Sequence, residues 1–169
     1  QYRMAPAIGD LVSACFYENV LENGKQDSDV PDIYSKLPEK LKACVTWLDT
    51  TSLPNAWHES GKSGSLSNRA EADVIIGLLQ DLANDETFIN SKAVQNCLNS
   101  NTQAIGVICM YGEQKKLIRK KFNERTWDDN FRRLVKIDSV DSYQGKENRV
   151  IILSLTRHDK QYSTGFLHL

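Results

Sequence analysis

Apolar positions in this chain recur on two periods. Between residues 67 and 83, Ala72, Val74, Ile75, Ile76, Leu78, Leu79 and Leu82 fall on one broad helical face. Ser67 stands where an N-cap hydroxyl would accept an orphan amide. Another helix is predicted from Pro6, a proline tolerated in a first turn, with Ile8, Leu11, Val12, Cys15 and Phe16 on one face. Residues 84–101 carry Phe88, Ile89, Val94 and Leu98 at helical spacing and predict one further helix. Two other runs, 104–111 and 150–155, are apolar almost without interruption. Strands covered by helices on both faces need no polar alternation, so both read as buried strands. Residues 134–137 read as a third strand and 45–50 as a fourth candidate. Gly112 closes the 104–111 strand, and a basic helix over 113–122 follows it. Strand, tight turn and helix make half of a parallel βαβ unit. Asn23-Gly24 is a turn. The polar stretch 25–42, with Pro31 and Pro38, predicts a surface connection with one helical turn, and the serine- and glycine-rich 55–65 predicts a loop. The expected fold is α/β, a parallel sheet with helices on both faces.

Composition narrows the function classes. The 169 residues suffice for one domain with a sizeable core. The formal net charge is -1 at pH 7, so a bulk basic footprint for nucleic acid is absent. A local patch remains: Lys115, Lys116, Arg119, Lys120 and Lys121 lie on the 113–122 helix, either as a phosphate-backbone surface or as a solvated face. No apolar run is long enough for a membrane span, and the first residues lack the apolar core of a signal peptide. Cys15, Cys44, Cys97 and Cys109 include no close pair. That spacing is not a zinc pattern, so no metal site is expected. It predicts buried thiols in a reducing compartment, intracellular and cytoplasmic, or nuclear in a eukaryote. His58 stands alone in its loop and reads as a surface residue.

Candidate chemistry concentrates between the last two strands. Ser139-Val140-Asp141-Ser142-Tyr143-Gln144-Gly145-Lys146-Glu147 gathers hydroxyl, carboxyl and amide groups around one glycine. Such a loop suits close backbone approach to a phosphate or ribose. A plain turn would not need Asp, Gln, Gly and Glu in this order. With the following Val150-Ile151-Ile152-Leu153-Ser154-Leu155-Thr156-Arg157, the stretch resembles motif V of superfamily 1 helicases, in the branch of the Upf1-like RNA and DNA helicases. The opening Gln1-Tyr2-Arg3-Met4-Ala5-Pro6, then Phe16-Tyr17-Glu18, resembles the segment that starts their second RecA-like domain. Ser65, Asn68, Glu71 and Ala72 match the family's Ser-x-x-Asn-x-x-Glu-Ala. Tyr111 and Gln114 match its Thr-Pro-Tyr-x-x-Gln, but Cys109 and Met110 replace the Thr and Pro. A thiol is a poor donor to a nucleic-acid phosphate, which puts that contact in doubt.

The resemblance implies a RecA-like fold over residues 1–169, the second motor domain of an ATP-dependent helicase, ending before the family's terminal arginine motif. It places adenine stacking on Tyr2 and a γ-phosphate contact on Arg3, the catalytic candidate. Gln1, Gln144, Gly145 and Glu147 join them in nucleotide binding. Tyr111, Ser139 and Asp141 are placed at single-stranded nucleic acid. No Gly-x-x-x-x-Gly-Lys-Ser/Thr occurs in the sequence. ATP and Mg are therefore expected to be held mainly by the partner, a first RecA-like domain, and this chain alone is expected to be inactive. Two other classes compete. A nucleic-acid-binding RecA-like module without turnover would have no use for Tyr2, Arg3 and Glu147 together. A dinucleotide enzyme would need its glycine turn between a strand and a helix, whereas Gly145 lies between two strands.

Overall fold

Helix α2 (Arg69–Asn84) realises the long periodic face. In this computed structural model, which describes residues 1–26, 33–54, 59–62, 65–143 and 145–157, it buries Ala72, Ile75, Ile76, Leu78, Leu79 and Leu82. The N-cap is Asn68 rather than Ser67: its Oδ1 accepts the Glu71 amide at 3.1 Å. Ser67 belongs to the strand before it. That strand corrects the expectation of a loop at 55–65, because β1 (Glu59–Lys62) and β2 (Ser65–Asn68) pair antiparallel as a hairpin. His58 lies outside the described residues.

The described residues divide into two compact units, Gln1–Leu48 and Asp49–Leu169. In the second, α2 is followed by two short helices where one was expected, α3 (Glu86–Ile89) and α4 (Lys92–Asn99). The Asp85 and Ser91 side chains accept the amides of Phe88 and Val94, so the chain is capped afresh twice within a few residues. Next come β3 (Ile105–Cys109), α5 (Gly112–Asn123), α6 (Asp129–Leu134), β4 (Val135–Ser139), α7 (Val140–Tyr143) and β5 (Val150–Ser154). The three strands run parallel in the order β4-β3-β5. Gly106 and Ile108 of β3 align with Lys136 and Asp138 of β4 and with Ile151 and Leu153 of β5, so these six share one face. Tyr143 of α7 lies over that face at Gly106. Ser154 points to the other face, where Gln114 of α5 donates to its hydroxyl at 3.1 Å. Helices flank the sheet on both faces, and the fold is RecA-like α/β.

Strand β5 departs from the buried reading. Ile151 and Leu153 are 49% and 51% exposed, because α7 covers β3 and β4 and leaves their side of β5 open. The polar stretch after Ser139 is also more ordered than a plain loop, since its first residues form α7.

In the first unit, α1 (Pro6–Phe16) begins at the expected proline. Its buried positions, however, are Gly9 and Ser13, while Leu11 and Phe16 of the apolar face are exposed. Ser13 explains this, since its hydroxyl exchanges hydrogen bonds with the backbone of Leu21 and draws the returning chain to its own side of the helix. Two 3₁₀ turns, Tyr34–Lys36 and Glu39–Leu41, follow, with Ile33 and Leu37 buried beside them. Residues 45–50 have strand-forming side chains but form no strand; Asp49 and Thr50 instead accept the amides of Thr51 and Leu53 in local hydrogen bonds. The thiols split: Cys97 and Cys109 are buried, Cys44 is half-buried, and Cys15 is exposed against expectation. Among the described residues no helix is long and apolar enough to cross a membrane.

Candidate functional site

The first residues are tied into a turn by hydrogen bonds. The Gln1 side-chain carbonyl accepts the amides of Arg3 and Met4 at 3.1 and 2.8 Å. Its amide group donates to Asn23 Oδ1 at 2.5 Å, and Asn23 in turn donates to Asp10 at 2.6 Å and to the Pro6 carbonyl at 3.3 Å. The Gly24 amide returns to the Gln1 carbonyl at 2.7 Å. The Tyr2 ring lies so close over Gly24 that a Cβ there would collide with it. Its outer side faces solvent, at 77% exposure, and Arg3 beside it is exposed. A pinned aromatic with an open face and a neighbouring guanidinium can take a planar base and an oxyanion. Gln1 thus acts as the organiser of the turn.

In the second unit, Cys109, Ser139 and Ser154 line up across the C-terminal ends of the three strands. Ser139 is half-buried, with its hydroxyl 3.3 Å from that of Ser142, and Asp141 is exposed. Cys109 is fully buried, and burial, aided by the nearby Glu71 charge, pushes its thiol up to about 12. The thiol thus stays protonated, and its burial keeps it away from solvent. Tyr111 is 9% exposed and occupies the N-cap position of α5 without a side-chain capping bond. Gln144 lies outside the described residues. Gly145 adopts φ +79°, a conformation that favours glycine, and Glu147 is exposed. The loop then ties to the opposite end of the sheet: Asn148 donates to the Gln103 carbonyl at 2.7 Å, and the amides of Arg149 and Val150 donate to Ala104. Ser139 therefore sits at the C-terminal row, while the chain after Gly145 runs back to where β3 begins.

The sequence pattern alone does not foresee the buried polar node that joins three elements. Gln114 accepts the Asn68 amide at 2.8 Å and donates to the Asn68 carbonyl at 3.2 Å and to Ser154. Asn68 donates to the Thr156 carbonyl at 3.3 Å, and Glu71 accepts the Thr156 amide at 2.8 Å. Burial pushes the Glu71 carboxyl above its ordinary value, while the Ser154 hydroxyl and the Thr156 and Leu155 amides pull it back. Only the spacing of Asn68, Glu71 and Gln114 hints at this; the long-range partners are invisible in one dimension.

The basic helix α5 is largely neutralised within the fold. Lys115 and Arg119 reach Asp138 at 3.3 and 3.5 Å, Lys116 reaches Glu113 at 2.6 Å, Lys120 reaches Glu124 at 3.8 Å and Lys121 reaches Asp73 at 2.5 Å. Arg119 also donates twice to the Ile137 carbonyl. Its reading as a phosphate surface weakens accordingly. Burial would raise Asp138, but the Ser139 amide, Lys115 and Arg119 outweigh it and hold the carboxyl below its ordinary value.

A family model described as an AAA domain matches residues 1–168. The chain is 29% identical over 169 residues to Helicase SEN1 of Saccharomyces cerevisiae, covering 99% of this chain and 7% of that protein. It is 27% identical over 175 residues to ATP-dependent helicase upf1 of Schizosaccharomyces pombe, covering 99% and 17%. It is 30% identical over 171 residues to Regulator of nonsense transcripts 1 of Caenorhabditis elegans, covering 99% and 14%. The chain spans less than a fifth of each of these relatives.

Proposed function

Because this chain belongs to the AAA domain family and is a superfamily 1 helicase domain of the Upf1-like kind, we propose that it serves as the second RecA-like domain of an ATP-driven helicase or translocase on DNA or RNA. The observation that carries this reading is the turn pinned by Gln1, which presents an open Tyr2 face and Arg3 side by side. Tyr2 stacks on adenine. Arg3 neutralises charge on the γ-phosphate as it develops, in the manner of an arginine finger. Gly145 and Glu147, with Gln144, serve the ribose, the phosphates and the water around the metal. Ser139, Asp141 and Tyr111 serve single-stranded nucleic acid. Among the described residues no three His, Cys, Asp or Glu side chains converge where a metal could sit. Mg arrives with ATP and is held mainly by a first RecA-like domain, so this chain by itself turns nothing over.

Kinetics of the full-length protein test the assignment. Arg3→Ala should lower turnover by on the order of a thousandfold with little change in nucleotide affinity. Tyr2→Ala should weaken nucleotide binding by about 1 kcal/mol and leave turnover at saturation nearly intact. Wild-type turnover in Arg3→Ala would remove Arg3 from the site and leave the assignment resting on the Gly145 loop alone.

A further inference from the structure

Thr156 sits two residues beyond β5 with φ +72°, a left-handed conformation that is an outlier for a β-branched residue. The Arg157 amide donates to the Leu155 carbonyl at 2.8 Å, across Thr156. A positive φ closed by a hydrogen bond between residues two apart is the rare, strained form of the γ-turn. Strain of this kind persists only where the surroundings over-determine it. Here they do so from the start of α2. Thr156 is 1% exposed, and both of its backbone polar groups are held there: the amide by Glu71 in the first turn at 2.8 Å and the carbonyl by the N-cap Asn68 at 3.3 Å. Among the described residues the threonine hydroxyl has no partner, so the hold on the turn runs through its backbone. Asn68 is itself locked by a reciprocal pair of hydrogen bonds to Gln114 at the start of α5.

We propose that Asn68 and Glu71 are positioning residues, a clamp that forces Thr156 into the strained turn and so sets the direction in which Arg157 leaves the sheet. The turn lies at the C-terminal end of β5, the end at which α/β folds place their ligands. Buried hydrogen bonds from the start of α2 and from α5 thereby hold the turn at Thr156, and Arg157 after it, in register with both helices. This role rests on the motor reading for its catalytic consequence, though not for its structural one.

Two measurements on the full-length protein decide it. Residue-resolved amide exchange in Glu71→Ala should be about tenfold or more faster at Thr156 and Arg157, with α2 and β3 unchanged. ATP turnover in the same variant should fall roughly tenfold or more while nucleotide affinity stays within about twofold, as misplacement does. Glycine adopts positive φ without cost, so adding Thr156→Gly to Glu71→Ala should restore both Arg157 protection and turnover. Should Glu71→Ala fail to fold, Glu71→Gln, which keeps one acceptor oxygen, should show the same changes at smaller size and the same rescue. Unchanged exchange at residues 155–157, or no rescue by the glycine, overturns the clamp. A wild-type protein without any ATP turnover would sink the motor reading instead, and the exchange arm would still decide the clamp.

Discussion

A methyl group at position 106 has nowhere to go. It would collide with the Tyr143 hydroxyl and stand 2.9 Å from Asn148 Oδ1. Tyr143 is buried and donates to the Lys136 carbonyl, so it does not swing aside cheaply. Gly106→Ala should therefore destabilise the fold by roughly 1–3 kcal/mol. Gly77, inside α2 with nothing within 4 Å of where a Cβ would stand, should do the reverse. There Gly→Ala should stabilise by about 0.5–1 kcal/mol. Urea unfolding of the two variants reads both signs. Two carboxylates should also differ in sign. Glu71 is raised above 4.5 by burial, so the folded state holds its proton more readily than the unfolded chain. Its effect on stability becomes less favourable as pH rises from the unfolded value through the folded one, and Glu71→Gln should flatten that slope. Asp138 is held below 3.8, so its contribution is present above that value and is lost as pH falls through the folded one. Urea midpoints for Glu71→Gln and Asp138→Asn from about pH 3 to 7 separate the two.

Elements that carry their own signal were legible, and those that depend on a distant partner were not. The α2 face and the unbroken apolar run of β3 specify themselves through period and burial. Residues 45–50 had the right side chains for a strand yet bond locally instead, while the Ser- and Gly-rich hairpin pairs strand to strand despite poor propensity. Helix α6 was hidden among the charges of residues 128–133. It forms because Asp128 caps it and because Phe122, Trp127 and Phe131 stack in sequence, with ring centroids 4.8 and 5.4 Å apart. At the candidate site, the Gln-Tyr-Arg segment and the Gly145 loop stood out by residue type, whereas the Asn68, Glu71 and Thr156 node needed chain separations of up to 88 residues to close. Helix α5 shows the limit of charge counting. Lys116→Ala and Lys120→Ala remove exposed pairs and should change stability by less than about 1 kcal/mol in thermal unfolding.

For the molecule as a whole, the formal net charge is -1, and the cations of α5 stand beside Asp73, Glu113, Glu124 and Asp138, so this helix is not a concentrated positive surface. Binding of single-stranded DNA or RNA by this chain should be weak, indifferent to sequence and progressively lost as salt rises. Fluorescence anisotropy across salt concentrations checks this, and tight salt-independent binding would contradict it. The parallel sheet has a consequence of another kind. Ile105 pairs with Val135 and with Val150, partners roughly 30 and 45 residues away, and no tight hairpin joins any of the three strands. The local β1-β2 hairpin can close early, but β3 must wait, with both edges unpaired, for two remote segments to arrive. Refolding should accordingly be slow for the chain's size, and its yield should fall as protein concentration rises, because the centre of the sheet is the last part of it to be protected from a neighbouring molecule.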